Sequence, residues 1–480
     1  MRTVIGTDET IRTGVLEQFF RICRCPHPSW GEGPLADYVE ELLRSRGLTP
    51  VRDPWNNLMA DVPAAPGREN APVVILQGHL DMVCAVKTGS GYDPCTSPVT
   101  PVVENGVLRS NGDSSLGADN NLGNAAALWL LGQDVPHGPV RLLFTVAEEV
   151  GLQGAEKVDP AWLAGAKYLL NTDGFALGKA VISSAGGLRE TFTRPLETAP
   201  RQKSAVFALT LAGFPGGHSG YDIHRGRPNP IRLCADFLRE LGGRPDYELL
   251  RLSGGHAHNA IPMDCAALLA VDEGDAPALT QAVERFSREV SGGTVELSRT
   301  DCADCRAWTA DCRDKVLAAL SGLRIGVSAW RDREKGQVSA SVNLGSVAQT
   351  EDAVTAACFI RAARREDEEV LAGQHSQTMG DAGFSVQSNG YPGWPEREEN
   401  PLADTLAAVW KELTGRDMVI ESVHVGLEPS VLGAKNPALI MVNTGPEILA
   451  PHSLDERAPL EGLPDYVRLL AGTLERLSRS

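Results

Sequence analysis

A chain of 480 residues can bury a large core and predicts two domains. Its 42% hydrophobic and 22% charged content is that of an ordinary globular protein. With 62 acidic against 45 basic residues the net charge is -17, which excludes nucleic acid or an anionic membrane as a partner unless a local basic patch intervenes.

No apolar stretch approaches the roughly 18 residues of a membrane span. The opening Met1–Gly6 lacks the apolar region of a signal peptide. The 10 cysteines are scattered, without the density of a disulfide scaffold, and fit a reduced, cytoplasmic setting.

Helices are predicted over residues 10–23 and 34–46. In the second, Leu35, Tyr38, Val39, Leu42 and Leu43 recur at helical spacing and Gly47 stops the run. Trp55 to Val62 reads as an edge strand. The short apolar run Val73–Leu76 reads as a buried central strand, ended by Gly78. His79 and Asp81 follow at once, at the carboxyl edge where open α/β sheets bind ligands. Alone, this stretch reads better as a turn with two solvated polar groups.

Val102–Leu108 carries a hairpin signal with Asn105-Gly106 at its turn. A helix of strong propensity follows from Asn124, with Asp119 near its start. An N-cap role would account for that Asp but not for the Gly and Asn residues around it. The apolar strand Val140–Ala147 closes on Glu148-Glu149, and Lys167–Asn171 leads to Asp173. Three strands ending in ligand-type residues point to one site at a shared sheet edge.

After Gly187 the pattern changes. Strands at 205–211 and 266–272, and others near 293–299, 338–344 and 383–387, alternate with helices at 229–241 and 276–290. This predicts an antiparallel, two-layer α+β unit. The mixed charge run Arg361–Glu369 reads as the solvated face of a helix. Beyond Gly390–Trp394, helices are marked by Leu402, Leu406, Val409, Trp410 and Leu413, and by Tyr466, Leu469, Leu470, Leu474 and Leu477. Strands at Val419–Val425 and Ala438–Val442 lie between, the second leading to His452. The expectation is an α/β domain with a mostly parallel sheet, built from residues 1–186 and 388–480, interrupted by an inserted domain over 187–387.

His79, Asp119, Glu149, Asp173 and His452 supply imidazole and carboxylate without thiolate, a set suited to Zn(II) and also to Mn(II) or Co(II). Five such groups exceed the needs of one four-coordinate zinc and match two ions about 3.5–4 Å apart. Asp119 is the expected bridge. Asp81 is expected to hydrogen-bond the His79 ring and fix its tautomer. Glu148, beside a ligand and free itself, is the expected general base.

The segments Gly78–Asp81, Leu116–Asn120, Ala147–Gly151, Asn171–Gly174 and Pro451–Ser453 resemble the metal-site motifs of the M20 metallopeptidase family. Along almost its whole length the chain is similar to the aminoacyl-histidine dipeptidases of that family. Matching segments in the insert are Gly216–Gly220, Asn259–Pro262 and Phe359–Arg361, and His424–Glu428 follows later. The resemblance implies His79 with Asp173 on one ion, Glu149 with His452 on the other, and a lid domain. From the segments outside the metal site it implies His218, Asn259, Arg361 and Gly426 for substrate.

Two departures stand out. Asp119 is followed by Asn-Asn where relatives commonly show Asn-Gly. Cys302, Cys305 and Cys312 fall outside the family pattern; a zinc site there lacks a fourth ligand at usual spacing, and surface or core thiols are the plainer reading. The glycines around His218 favour close approach to a ligand, and the Arg361 guanidinium suits a free carboxylate. His27, His137, His224, His256, His258 and His375 read as structural or solvated.

The expected activity is dimetal hydrolysis of dipeptides, of Xaa-His type or broader. A metal-bridging hydroxide attacks, with Glu148 as base and His218 stabilising the oxyanion. The rivals are an amidohydrolase acting on N-acyl amino acids and a metal-dependent binding protein, the latter needing no Glu148. The inserted domain is expected to move. The resemblance allows a homodimer through it, with His218 serving its own subunit or its neighbour.

Overall fold

The structure, a computed structural model, describes residues 5–241 and 245–479. Met1–Val4, part of the stretch read as lacking a signal peptide, lies outside the described residues. Two compact units are present: Met1–Ser184 with Trp394–Val423 and Leu427–Ser480, and Ala185–Gly393 with His424–Gly426. Among the described residues no helix is long and apolar enough to cross a membrane.

The first unit is built on an eight-stranded sheet. The Val73–His79 strand lies between Val140–Thr145 and Ala166–Asn171 and runs parallel to both. Ile440–Asn443 adds parallel to Ala166–Asn171. Trp55–Val62, expected as the edge, contributes Leu58–Val62, and the two-residue strand Val51–Arg52 lies outside it. The predicted hairpin forms from Pro101–Glu104 and Val107–Ser110, with positive φ at both Asn105 and Gly106. That is the backbone a tight two-residue hairpin turn requires. It belongs to a separate three-stranded sheet, completed by Arg457–Pro459.

In the central ladder His79 pairs with Thr145, and Gln77 with Asn171. The three strands therefore end level, and His79, Glu148-Glu149 and Asp173 emerge at one edge. The Ala118–Leu130 helix is buried on every side. Its Ala and Gly residues let it approach closely: a Cβ at Gly78 would fall on the side-chain oxygens of Asn120 and Asn124. Glycine at the end of the His79 strand is thus a condition for the Asp119 segment to reach the same edge.

The second unit holds a nine-stranded antiparallel sheet with four helices, Pro230–Leu241, Ala276–Glu289, Ala310–Gly322 and Arg365–Asp381. Ile231, Leu279, Val316 and Leu371 from these helices share one core with Leu209, Leu249, Leu344 and Ile360 from the sheet. One expectation is corrected here. Arg361 is not on a charged helix; it lies in the Ala353–Ala362 strand and is only 3% exposed. The charged helix starts four residues later, at Arg365. Cys302 and Cys305 are disulfide-bonded, not the thiols expected, and Cys312 is buried on its helix, so the three form no metal cluster; the eight free cysteines include Cys312.

Candidate metal centre

Two triads of potential ligand atoms at the sheet edge share a carboxylate: His79, Asp119 and Asp173, and Asp119, Glu149 and His452; a further group joins His79 to Glu148 and Glu149. Asp119 belongs to both triads. Its Oδ1 lies 3.2 Å from His79 Nε2, and its Oδ2 lies 2.8 Å from His452 Nε2. Asp173 Oδ1 stands 3.4 Å from His79 Nε2, and Glu149 Oε1 stands 3.1 Å from His452 Nε2. Each triad thus has one imidazole, one private carboxylate and one oxygen of the shared carboxylate.

Buried carboxylates at this density are unfavourable unless compensated. Asp173 Oδ1 and Glu149 Oε1 are buried and accept no well-directed hydrogen bond. Orphaned oxygens facing imidazole nitrogens fit two divalent cations, and the nitrogen and oxygen donors suit zinc, manganese or cobalt. In the metal-free protein burial works against protonating His452, yet Asp119 and Glu149 push it up to about 11. Cation and proton therefore compete for the same Nε2 atom. Apparent metal affinity is expected to fall as pH is lowered through the neutral range, as measured by competition with a chelating indicator. A pH-independent affinity would remove the imidazoles from the ligand set.

The surrounding polar groups aim these ligands. His79 Nδ1 donates to the Asp81 backbone carbonyl over 3.0 Å, leaving Nε2 for the triad. The Asp81 carboxylate is 3.5 Å from that ring nitrogen and does other work. It accepts from Ser29 Oγ at 2.7 Å and from the backbone N–H of Glu148 and Glu149 at 3.0 and 3.2 Å. Asp81 thereby fixes the turn that presents both glutamates. Burial, with Glu149 and Asp173 nearby, raises the Glu148 carboxyl well above the usual range, against the opposing charge of His79.

The Asn-Asn after Asp119 has a use. Asn120 Oδ1 accepts the His79 N–H at 3.1 Å, and Asn121 Nδ2 donates to the Leu80 carbonyl at 3.0 Å.

Two buried glutamates that sequence reasoning gave no role complete the frame. Glu456 accepts four consecutive backbone N–H groups, those of Leu116, Gly117, Ala118 and Asp119, at 2.8–3.2 Å. Glu428 accepts from Gln77 and Thr145, which lie on two adjacent strands of the sheet.

The second unit assembles its own cluster. Arg361 contacts Ser219 Oγ at 3.2 Å, Tyr391 OH at 3.4 Å and His218 Nε2 at 3.4 Å. Ser219 N–H donates to the carbonyl of Asn259, which is exposed. Gly426 is approached by the Tyr391 ring so closely that a Cβ would collide with it. His218 Nδ1 accepts from the N–H of Gly220 and Tyr221, both at 3.2 Å, which assigns the proton of the neutral ring to Nε2 and makes the 3.4 Å approach of Arg361 Nη2 a contact, not a hydrogen bond. Burial, then the charge of Arg361, lowers His218 to about 4 and keeps it neutral.

Residues 75–476 match the model of peptidase family M20/M25/M40. The cytosol non-specific dipeptidase of Escherichia coli is 32% identical over 469 residues, covering 96% of each chain. The chain belongs to peptidase family M20. It is a peptide hydrolase with the family's catalytic and lid domains. The crystal structure of aminoacylhistidine dipeptidase from Vibrio alginolyticus matches it with a TM-score of 0.86 at 28% identity, over 96% of each chain. An aminopeptidase from Bacillus cereus shares the M20 fold at a TM-score of 0.58, 14% identity and coverage of 97% and 98%.

Proposed function

We propose that this M20 peptidase is a dimetal dipeptidase that acts on dipeptides with a free C-terminal carboxylate, of Xaa-His type or broader. The observation that carries the reading is Arg361, a buried guanidinium whose contacts are hydroxyl, imidazole and aromatic groups. Among the described residues no carboxylate pairs with it. A buried, unpaired guanidinium is costly and marks a place for an anion. Its fork suits the α-carboxylate of a short peptide, with Asn259 and Gly426 alongside. The names of the Escherichia coli and Vibrio alginolyticus relatives support the same substrate class, and the former supports a cytosolic setting.

Two divalent ions, zinc first among them, would be held by His79, Asp173, Glu149 and His452 with Asp119 between, and would supply Lewis acidity and an acidified water. The protein's own groups do the rest. Glu148 takes the proton of the attacking water and returns it to the leaving amine. His218 Nε2–H donates to the oxyanion that develops on the scissile carbonyl.

A panel of dipeptides, their C-terminal amides and N-acyl amino acids, assayed with added Zn(II), Mn(II) and Co(II), tests the reading. The free dipeptides are expected to exceed both other classes by at least about tenfold in kcat/KM. Equal rates for a dipeptide and its amide would exclude the Arg361 role, and faster N-acyl substrates would make the enzyme a deacylase.

His218→Ala is expected to lower kcat by at least about 100-fold with little change in KM, because the charge it meets exists only in the transition state. An unchanged kcat would remove His218 from the mechanism. Mixing subunits of this variant with Glu148→Ala subunits tests a homodimer in which His218 serves its neighbour. Regained activity supports it, and none after confirmed subunit exchange excludes it.

A further inference from the structure

The sheet face that carries Arg361 holds a second guanidinium. In the antiparallel ladder Arg361 pairs with Gly187, and Arg189 pairs with Phe359. The two arginines are therefore diagonal neighbours on one face, a relation that sets Cα atoms about 7–8 Å apart.

Phe359 and His258 tie the pair together. Arg361 Cζ lies 4.5 Å from the Phe359 ring centroid, and the His258 ring meets that ring edge-on at 5.0 Å. Arg189 Nη2 donates to His258 Nε2 over 2.8 Å, so the imidazole is a neutral acceptor that orients the guanidinium. The His258 loop is itself fixed, because Asn343 Nδ2 donates to the carbonyls of His258 and Ala260 at 2.9 and 2.7 Å. Among the described residues no carboxylate pairs with either arginine.

Like charges at such positions repel, and this chain, acidic overall, spends none of its 62 carboxylates on relieving them. One fork is enough for an α-carboxylate. We propose that Arg189 is a specificity-determining residue that receives a second carboxylate, so that the preferred substrates are dipeptides ending in Asp or Glu. The inference rests on the dipeptidase reading and, within it, takes the broader substrate class over the Xaa-His one. Arg189 is exposed, so substitutions there leave the core packing intact.

The test is steady-state hydrolysis of Ala-Glu, Ala-Gln, Ala-His and Ala-Lys by the metal-loaded enzyme and by Arg189→Gln and Arg189→Glu. The wild type is expected to favour Ala-Glu over Ala-Gln by about tenfold in kcat/KM, the worth of a hydrogen bond to a charged group. In Arg189→Gln that ratio collapses toward one. In Arg189→Glu it inverts, and Ala-Lys gains on Ala-Gln. An unchanged ratio in both variants overturns the proposal. An equal fall on all four substrates also overturns it, since Arg189 would then serve the α-carboxylate. If the wild type cleaves none of the four, the dipeptidase reading fails and takes this one with it.

Discussion

Glu148→Ala is expected to lower turnover by at least about 100-fold, the usual reach of a general base, while metal content stays at the wild-type level. The side chain stands close enough to His79 and Glu149 to be grouped with them. Yet each of the two triads around Asp119 is complete without it. Its carboxyl is raised by burial and by neighbouring carboxylates, as suits a group that accepts and returns a proton. Turnover and metal stoichiometry measured on the same preparation separate the roles. Loss of both ions together with activity would make Glu148 a ligand.

Asp119→Ala is expected to empty both metal positions at once and to bring activity down to that of the metal-free protein. Asp173→Ala and His452→Ala are each expected to weaken one position and spare the other. The difference follows from the shared carboxylate, whose two oxygens face different imidazoles. Removing it takes a donor from both triads and leaves two imidazoles without the anion between them. Metal analysis after dialysis checks this. Retention of one tightly held ion in Asp119→Ala would show that the bridge is not essential to both positions.

The fold class is legible in the sequence because the central strands are short apolar runs bounded by glycine and polar residues. Three of those runs stop at His79, Glu148 and Asp173, and parallel pairing makes their ends coincide. What pattern reading misses is long-range or backbone-borne. Arg361 is misread because its strand runs with little break into the charged Arg364–Glu369 segment. Alternation ends at Ala362 with only two residues before the helix, so the charges dominate the local composition. Glu456 leaves no signal at all. Its partners are main-chain N–H groups, which every residue but proline possesses. The return of His424–Gly426 to the second unit is hidden for a related reason: three residues are too few to show any period.

The contacts of Glu456 bear on how the molecule is made. Its carboxylate holds the Leu116–Asp119 backbone across a sequence separation of 337 to 340 residues. During synthesis the Leu116–Asp119 backbone waits for this partner until residue 456 has been made. The intervening unit, contiguous over Ala185–Gly393, has most of its sheet partners at hand long before then. Domains tend to fold as units in the order of their emergence, and contacts of high sequence separation form slowly. A nascent chain ending between His452 and Glu456 would carry His79, Asp119, Glu149, Asp173 and His452, yet would lack the carboxylate that holds the Leu116–Asp119 backbone. The backbone that presents Asp119 therefore takes this hold only after the intervening unit has been made.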